Sequence, residues 1–114
     1  MSESYEREKL GAAVDALASS AAPIQKRLEY AWMAMHTLNS HGITDSSRAG
    51  EYSEICERLT ADKSDEKTGY VPTTCANLSD NEAAEIARAI VELNAGLNAD
   101  RIYGLEDQLR VLSN

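Results

Sequence analysis

The side chains best suited to covalent chemistry are the thiol of Cys75 and the imidazoles of His36 and His41. Cys75 lies four residues before Ser79, where a helix is expected to begin, and a thiol near a helix N-terminus can have a lowered pKa and become nucleophilic. A histidine could then serve as its base. Because nothing in the spacing brings these residues together, we expect no catalytic residue, and a thiol-dependent enzyme using Cys75 stays an alternative.

Metal binding is the second chemistry that these residue types allow. The two histidines are five residues apart, and Cys56 and Cys75 are nineteen apart, whereas structural zinc sites show short paired spacings. A di-metal carboxylate bundle needs Glu-x-x-His pairs, and no Glu has a His three residues later. We therefore expect no metal, no other cofactor, and two free thiols.

The charge of the chain limits its partners. The 114 residues include 19 acidic and 11 basic side chains, a net charge of −8, and the basic ones are not clustered. Direct nucleic-acid binding needs clustered Lys and Arg facing phosphates, so it is not expected, and a basic protein partner is favoured. No apolar run is long enough to span a membrane, and the first twenty residues lack the layout of a secretory signal. We expect a cytoplasmic protein.

Apolar residues recur at helical spacing through most of the chain. In the first helix, Leu10, Ala13 and Leu17 share one face, with Glu and Lys on the other. Ser79 and Glu82 form a capping box, the strongest local signal of a helix start. The predicted helices cover about 3–19, 23–42 (from Pro23 to Gly42), a third that starts between 44 and 47 and ends at 59, then 79–98 and 100–112. Whether the last two are separate is left open.

Between the third and fourth helices the periodicity is lost, over residues 60–78. Pro72 favours an extended Val71, so we expect no helix there, and a connection of this length is either functional or mobile. With no Phe and one Trp, the core must be aliphatic, which favours helix packing over a β-sandwich. The predicted fold is an all-α antiparallel bundle of four to five helices with one long loop at about 60–78, in a single domain covering 1–114.

Two helical features point to a partner-binding surface. The apolar side of helix two is wider than one bundle face requires, which places Tyr30 and Met33 at its edge. Helix three carries acidic residues on its outer side, among them Glu51 and Glu54. With Tyr70 of the long loop, these make five candidate partner-binding residues.

The function predicted from these observations is a non-enzymatic protein–protein interaction or regulatory module, with self-association as its simplest form. The width of helix two and the alternating stripe of Ile102, Leu105, Leu109 and Leu112 are both candidates for a homodimer seam. A second hypothesis is a small acidic inhibitor or immunity-type protein that occludes a basic, nucleic-acid-binding site on its partner.

Overall fold

The computed structural model describes residues 2–38, 43 and 46–113, and within them the chain is helical with no strand. The all-α prediction is therefore confirmed. Five helices occur in the described part, named α1 to α5 in chain order: α1 (Ser2–Ser19), α2 (Ile24–Met35), α3 (Ser46–Leu59), α4 (Tyr70–Ala76) and α5 (Asp80–Ser113).

Side-chain contacts fix the directions of the longer helices. Tyr5 of α1 donates a hydrogen bond to Thr37 just after α2, and Arg27 of α2 donates to the carbonyl oxygen of Leu17 near the end of α1. The start of α1 therefore lies beside the end of α2, and the end of α1 beside the start of α2, so the two helices are antiparallel. Two ion pairs, Arg48–Asp100 and Arg58–Glu85, establish the same relation between α3 and α5.

The core is built from one apolar face of each helix and is aliphatic except for one tyrosine. The face of α1 also contains Glu6, which lies one turn before Leu10 and is 2% exposed; the expectation that the acidic residues of this helix all lie outside is wrong at this position. The buried core residues include Leu10, Ala13 and Leu17 of α1, Leu28, Ala31 and Met35 of α2, Tyr52, Ile55 and Leu59 of α3, Val71 and Cys75 of α4, and Ala83, Ile86, Ile90 and Leu93 of α5.

Helix α2 ends at Met35, well before the predicted end at Gly42, which like His41 lies outside the described residues. The buried side chain of Tyr52 on α3 lies against this end of the helix. Its hydroxyl lies 2.9 Å from the carbonyl oxygen of Met35 and 2.6 Å from that of Leu38, and can donate to either. Carbonyl groups at a helix C-terminus have no partner within the helix, so a buried end of this kind needs such a donor.

Replacing Tyr52 with phenylalanine should lower the free energy of unfolding by ~1–3 kcal/mol, because it leaves buried carbonyl oxygens without this donor. Urea denaturation followed by circular dichroism measures the change. The matched control is Tyr103→Phe, which removes the same hydroxyl from an exposed side chain and should leave the midpoint unchanged. An unchanged midpoint for Tyr52→Phe would show that the hydroxyl does not stabilise the end of α2.

The predicted loop at 60–78 contains the short helix α4, so the expectation of a helix-free segment is wrong for residues 70–76. Val71, Thr74 and Cys75 have helical spacing and are buried. Pro72 is compatible with the helix because it lies in the first turn, where a backbone N–H has no partner within the helix. The preceding Gly69 has a φ of 103°, a conformation that suits glycine.

The rest of this connection is held by Asp62. Its carboxylate accepts hydrogen bonds from the backbone and hydroxyl of Ser64 and from the Asn77 amide, and its own N–H donates to Thr74 Oγ1 at 2.9 Å. These bonds to its carboxylate hold the pKa of Asp62 below its usual range. The segment that lacks periodicity is therefore organised by polar contacts on both sides of α4.

Helix α5 begins at the predicted capping box and does not break where a fifth helix was considered. Ser79 N–H donates to Glu82 Oε1 at 3.0 Å, and Glu82 N–H donates to Ser79 Oγ at 3.1 Å. The helix then continues through 98–100 to Ser113. Gly96 lies within this helix, and its lack of a side chain leaves room for the guanidinium of Arg48. A Cβ at this position would come within 2.6 Å of the Arg48 Cζ.

The length of α5 gives the molecule its shape. Its 34 residues span about 51 Å at the rise of an α-helix, and the molecule measures 58 × 28 × 21 Å. The radius of gyration is 15.8 Å, against about 13 Å for a compact domain of this length. Beyond Asp100, which is held by Arg48, residues 101–112 are exposed on every side of the helix. We call this segment the α5 tail.

Candidate functional site

Two of the five predicted partner-binding residues meet in an apolar groove. Met33 of α2 and Tyr70 of α4 line a cavity of about 340 Å³ together with Trp32, Val71, Pro72, Glu29, Thr60 and Gly69. The groove exists because α4 packs against α2, which the sequence pattern did not predict. We name it the α2–α4 groove.

The rings around the α2–α4 groove are held by local contacts. The Trp32 ring stacks on His36 with centroids 6.1 Å apart. Tyr70 donates a hydrogen bond to Glu66 and lies beneath the Lys63 ammonium, which is 5.9 Å from the ring centroid. Met33 is 67% exposed and has the flexible thioether that adapts to varied apolar partners. The groove is thus lined mainly by apolar and aromatic groups, with Glu29 at its edge.

The third aromatic or apolar candidate, Tyr30, does not line this groove. It lies at the edge of α2, partly exposed, with the Lys26 ammonium 5.9 Å from its ring centroid. Tyr30 and Met33 thus both lie on the outer side of α2, but only Met33 borders the cavity.

The two acidic candidates, Glu51 and Glu54, share a second groove of about 240 Å³ between α3 and α5. Arg48 and Arg58 also line it. Arg48 pairs with Glu51 at 3.1 Å and with Asp100 at 3.0 Å. Because Arg48 and Arg58 lie among its carboxylates, this surface has mixed charge, which weakens its complementarity to a basic partner.

Most of the exposed large apolar side chains among the described residues lie on the α5 tail. Ile102, Leu105, Leu109 and Leu112 are 44–82% exposed and follow one another at spacings of three, four and three residues, so they form a single line along the helix. We call this line the tail stripe. The sequence indicated it as one of two candidates for a dimer seam. These side chains do not pack against the core, because α5 extends beyond the helices that cover its first half.

Cys75 does not have the environment of a reactive thiol. It lies inside α4 with 0% of its surface exposed, and burial raises its pKa to about 11. The alternative of a thiol-dependent enzyme requires a pKa lowered by the helix that starts at Ser79, and the burial of Cys75 in the core has the opposite effect. Cys56 is half-buried, its pKa is also raised by burial, and both thiols are free.

The raised pKa of Cys75 predicts a loss of stability in alkali. The folded state keeps the thiol protonated while the unfolded state ionises near its ordinary value of 9.0, so this contribution is complete below pH 9 and is lost as the pH rises through about 11. Thermal unfolding midpoints should fall over that range, and the Cys75→Ala variant should show a flatter fall. An identical pH profile for the two proteins would contradict the assignment.

The described residues contain no group of three or more His, Cys, Asp or Glu side chains placed to hold a metal ion. They also contain no helix with the length and apolar character needed to cross a membrane. No family model, curated protein or solved structure matches the chain, so its function has to be inferred from the surfaces described above.

Proposed function

We propose that this chain is a non-enzymatic interaction module that self-associates through the α5 tail. The observation that carries the proposal is the tail stripe: four large aliphatic side chains at alternating spacings of three and four, exposed on a helix that no other described element covers. This spacing is the one by which two helices pack their side chains together in a coiled coil.

The energetics favour a weak and reversible dimer. Each fully buried Leu or Ile contributes about 1.5–3 kcal/mol, and a dimer would bury four partly exposed side chains from each chain, which gives on the order of 10 kcal/mol. Association costs about 4–15 kcal/mol in lost freedom of motion. The stripe covers fewer than two heptads, so we expect dissociation constants of roughly micromolar or weaker.

The other surfaces support a function less directly. The α2–α4 groove is small and mainly apolar, and its lining has no repeating pattern that identifies a partner. The groove of Glu51 and Glu54 contains Arg48 and Arg58, so occlusion of a basic site rests mainly on the net charge of −8. The tail stripe, by contrast, has the periodicity of a helix–helix interface.

Amide hydrogen exchange at several protein concentrations tests the proposal residue by residue. A helix end that packs on nothing should open readily, so the amides of 101–112 should exchange fast in dilute solution. They should become protected as the concentration rises, while the amides of α1 and of residues 83–93 keep the same protection. Exchange of the tail that is independent of concentration would contradict self-association at this site.

A further inference from the structure

We infer that the two α5 tails run parallel in the dimer, with Arg101 of each chain facing Glu106 of the other. The occupant of the tail stripe is thus a second copy of this chain in a defined orientation. This inference rests on the proposed function, because it needs the tails to meet along the stripe.

The spacing of the stripe assigns the heptad positions, written a to g. Ile102 and Leu109 take the a positions, and Leu105 and Leu112 take the d positions, because a to d is a step of three and d to a a step of four. Arg101 is then at g and Glu106 at e of the following heptad. These are the two positions that flank the seam.

A parallel arrangement places opposite charges together at these flanks. In parallel pairs the g residue of one chain faces the e residue of the next heptad on the other, so Arg101 faces Glu106 on both sides of the seam. Both side chains are exposed, and neither pairs with another described residue of its own chain. Asp107 and Arg110, which pair with each other at 3.3 Å, fall at the outer f and b positions.

An antiparallel arrangement lacks this complementarity. There e positions face e positions, so full overlap of the two stripes would bring the two Glu106 carboxylates together. Like charges placed opposite each other across a helix pair are unfavourable.

The surface of α5 before the tail also agrees with the parallel arrangement. Continuing the heptads towards the N-terminus gives Asn98 and Val91 at d and Ala95 at a, and all three are exposed. A parallel pair can therefore extend its seam past the tail, where the small Ala95 lets the backbones come close. Among parallel coiled coils, an isoleucine at a with a leucine at d, as at Ile102 and Leu105, favours two strands over three or four.

Disulfide cross-linking distinguishes the two orientations. We would prepare Ile102→Cys and Leu112→Cys, oxidise each alone and as a mixture in a glutathione buffer, and map the linked peptides by mass spectrometry. The wild-type chain is the control, because its own Cys75 is buried and Cys56 half-buried. In a parallel dimer equal positions lie side by side, within reach of a disulfide; in an antiparallel one they are about 15 Å apart along the helix.

The parallel arrangement predicts links between two Ile102→Cys chains or between two Leu112→Cys chains, and a much lower yield between the two different variants. Preferential linkage of Ile102→Cys to Leu112→Cys in the mixture would overturn it while leaving self-association intact. Equal yields of all three links would indicate chance collision and overturn it as well. Light scattering on the wild-type chain separates these cases from failure of the proposed function, which would show as a monomer at every concentration.

Charge reversal gives a second, independent readout. Arg101→Glu and Glu106→Arg should each weaken the dimer about three- to tenfold, and the double variant should recover wild-type affinity. High salt should reduce these differences. If the single variants dimerise with the affinity of the wild-type chain, Arg101 and Glu106 do not face each other across the seam.

Discussion

Truncating Leu93 to alanine should lower the free energy of unfolding by ~2–5 kcal/mol, because the side chain is completely buried in the first half of α5 and its removal leaves a cavity. Chemical denaturation in dilute solution measures the change. If this variant is too unstable to analyse, Ile90→Val removes one methyl group from the same buried face and should cost ~0.5–1.5 kcal/mol.

The matched control is Leu109→Ala, the same substitution sixteen residues later on the same helix. Because Leu109 is exposed in the single chain, the free energy of unfolding should not change at concentrations where the protein is monomeric. Equal destabilisation by the two substitutions would show that the α5 tail belongs to the core of the monomer, and would remove the basis for treating it as an interface.

Replacing Leu109 with glutamate should weaken self-association about a hundredfold or more. The substitution removes one leucine from each side of the seam, worth ~1.5–3 kcal/mol each, and places two like charges opposite each other. Light scattering across a concentration series should therefore show a monomer where the wild-type chain shows a dimer. Circular dichroism should show that the bundle remains folded.

Val111→Glu provides the control for this experiment. Val111 is 75% exposed, at least as much as Leu109, but it lies outside the tail stripe, at the outer c position of the heptad. The same charge should have little effect there. Equal losses from the two variants would indicate that general hydrophobicity of the tail drives association and that no defined seam exists.

Local signals in the sequence predicted most of the fold. The extent of α1, the capping box of Ser79 and Glu82, and the buried faces of α3 and α5 depend on residues within one or two turns of each other, and the structure has them as expected. The stripe on 102–112 was visible for the same reason. The exposure of this stripe could not be predicted from the sequence, since it depends on where the other helices end.

The errors arose where distant residues decide the outcome. The apolar pattern of helix two continues to Leu38, which is buried, but the helix ends at Met35 where Tyr52, seventeen residues away, reaches its carbonyl group. The effect of Pro72 on Val71 predicts a break, but Pro72 lies in the first turn of α4, where a proline is compatible with the helix. The prediction that Cys75 lies on a loop is wrong for the same reason.

The candidate site was predicted in part. Met33 and Tyr70 do lie together, and so do Glu51 and Glu54, whereas Tyr30 lies apart from both grooves. The spacing could identify exposed residues on each helix, but it could not pair α2 with α4. It also could not place Asp100 and Glu85 of α5 opposite Arg48 and Arg58 of α3.

Sedimentation equilibrium of the unmodified chain over a wide concentration range tests the central claim most directly. We predict that the apparent mass rises from 12.4 kDa towards twice that value, in a single monomer–dimer equilibrium. An apparent mass that stays at 12.4 kDa up to the highest concentration that remains in solution would contradict self-association through the α5 tail.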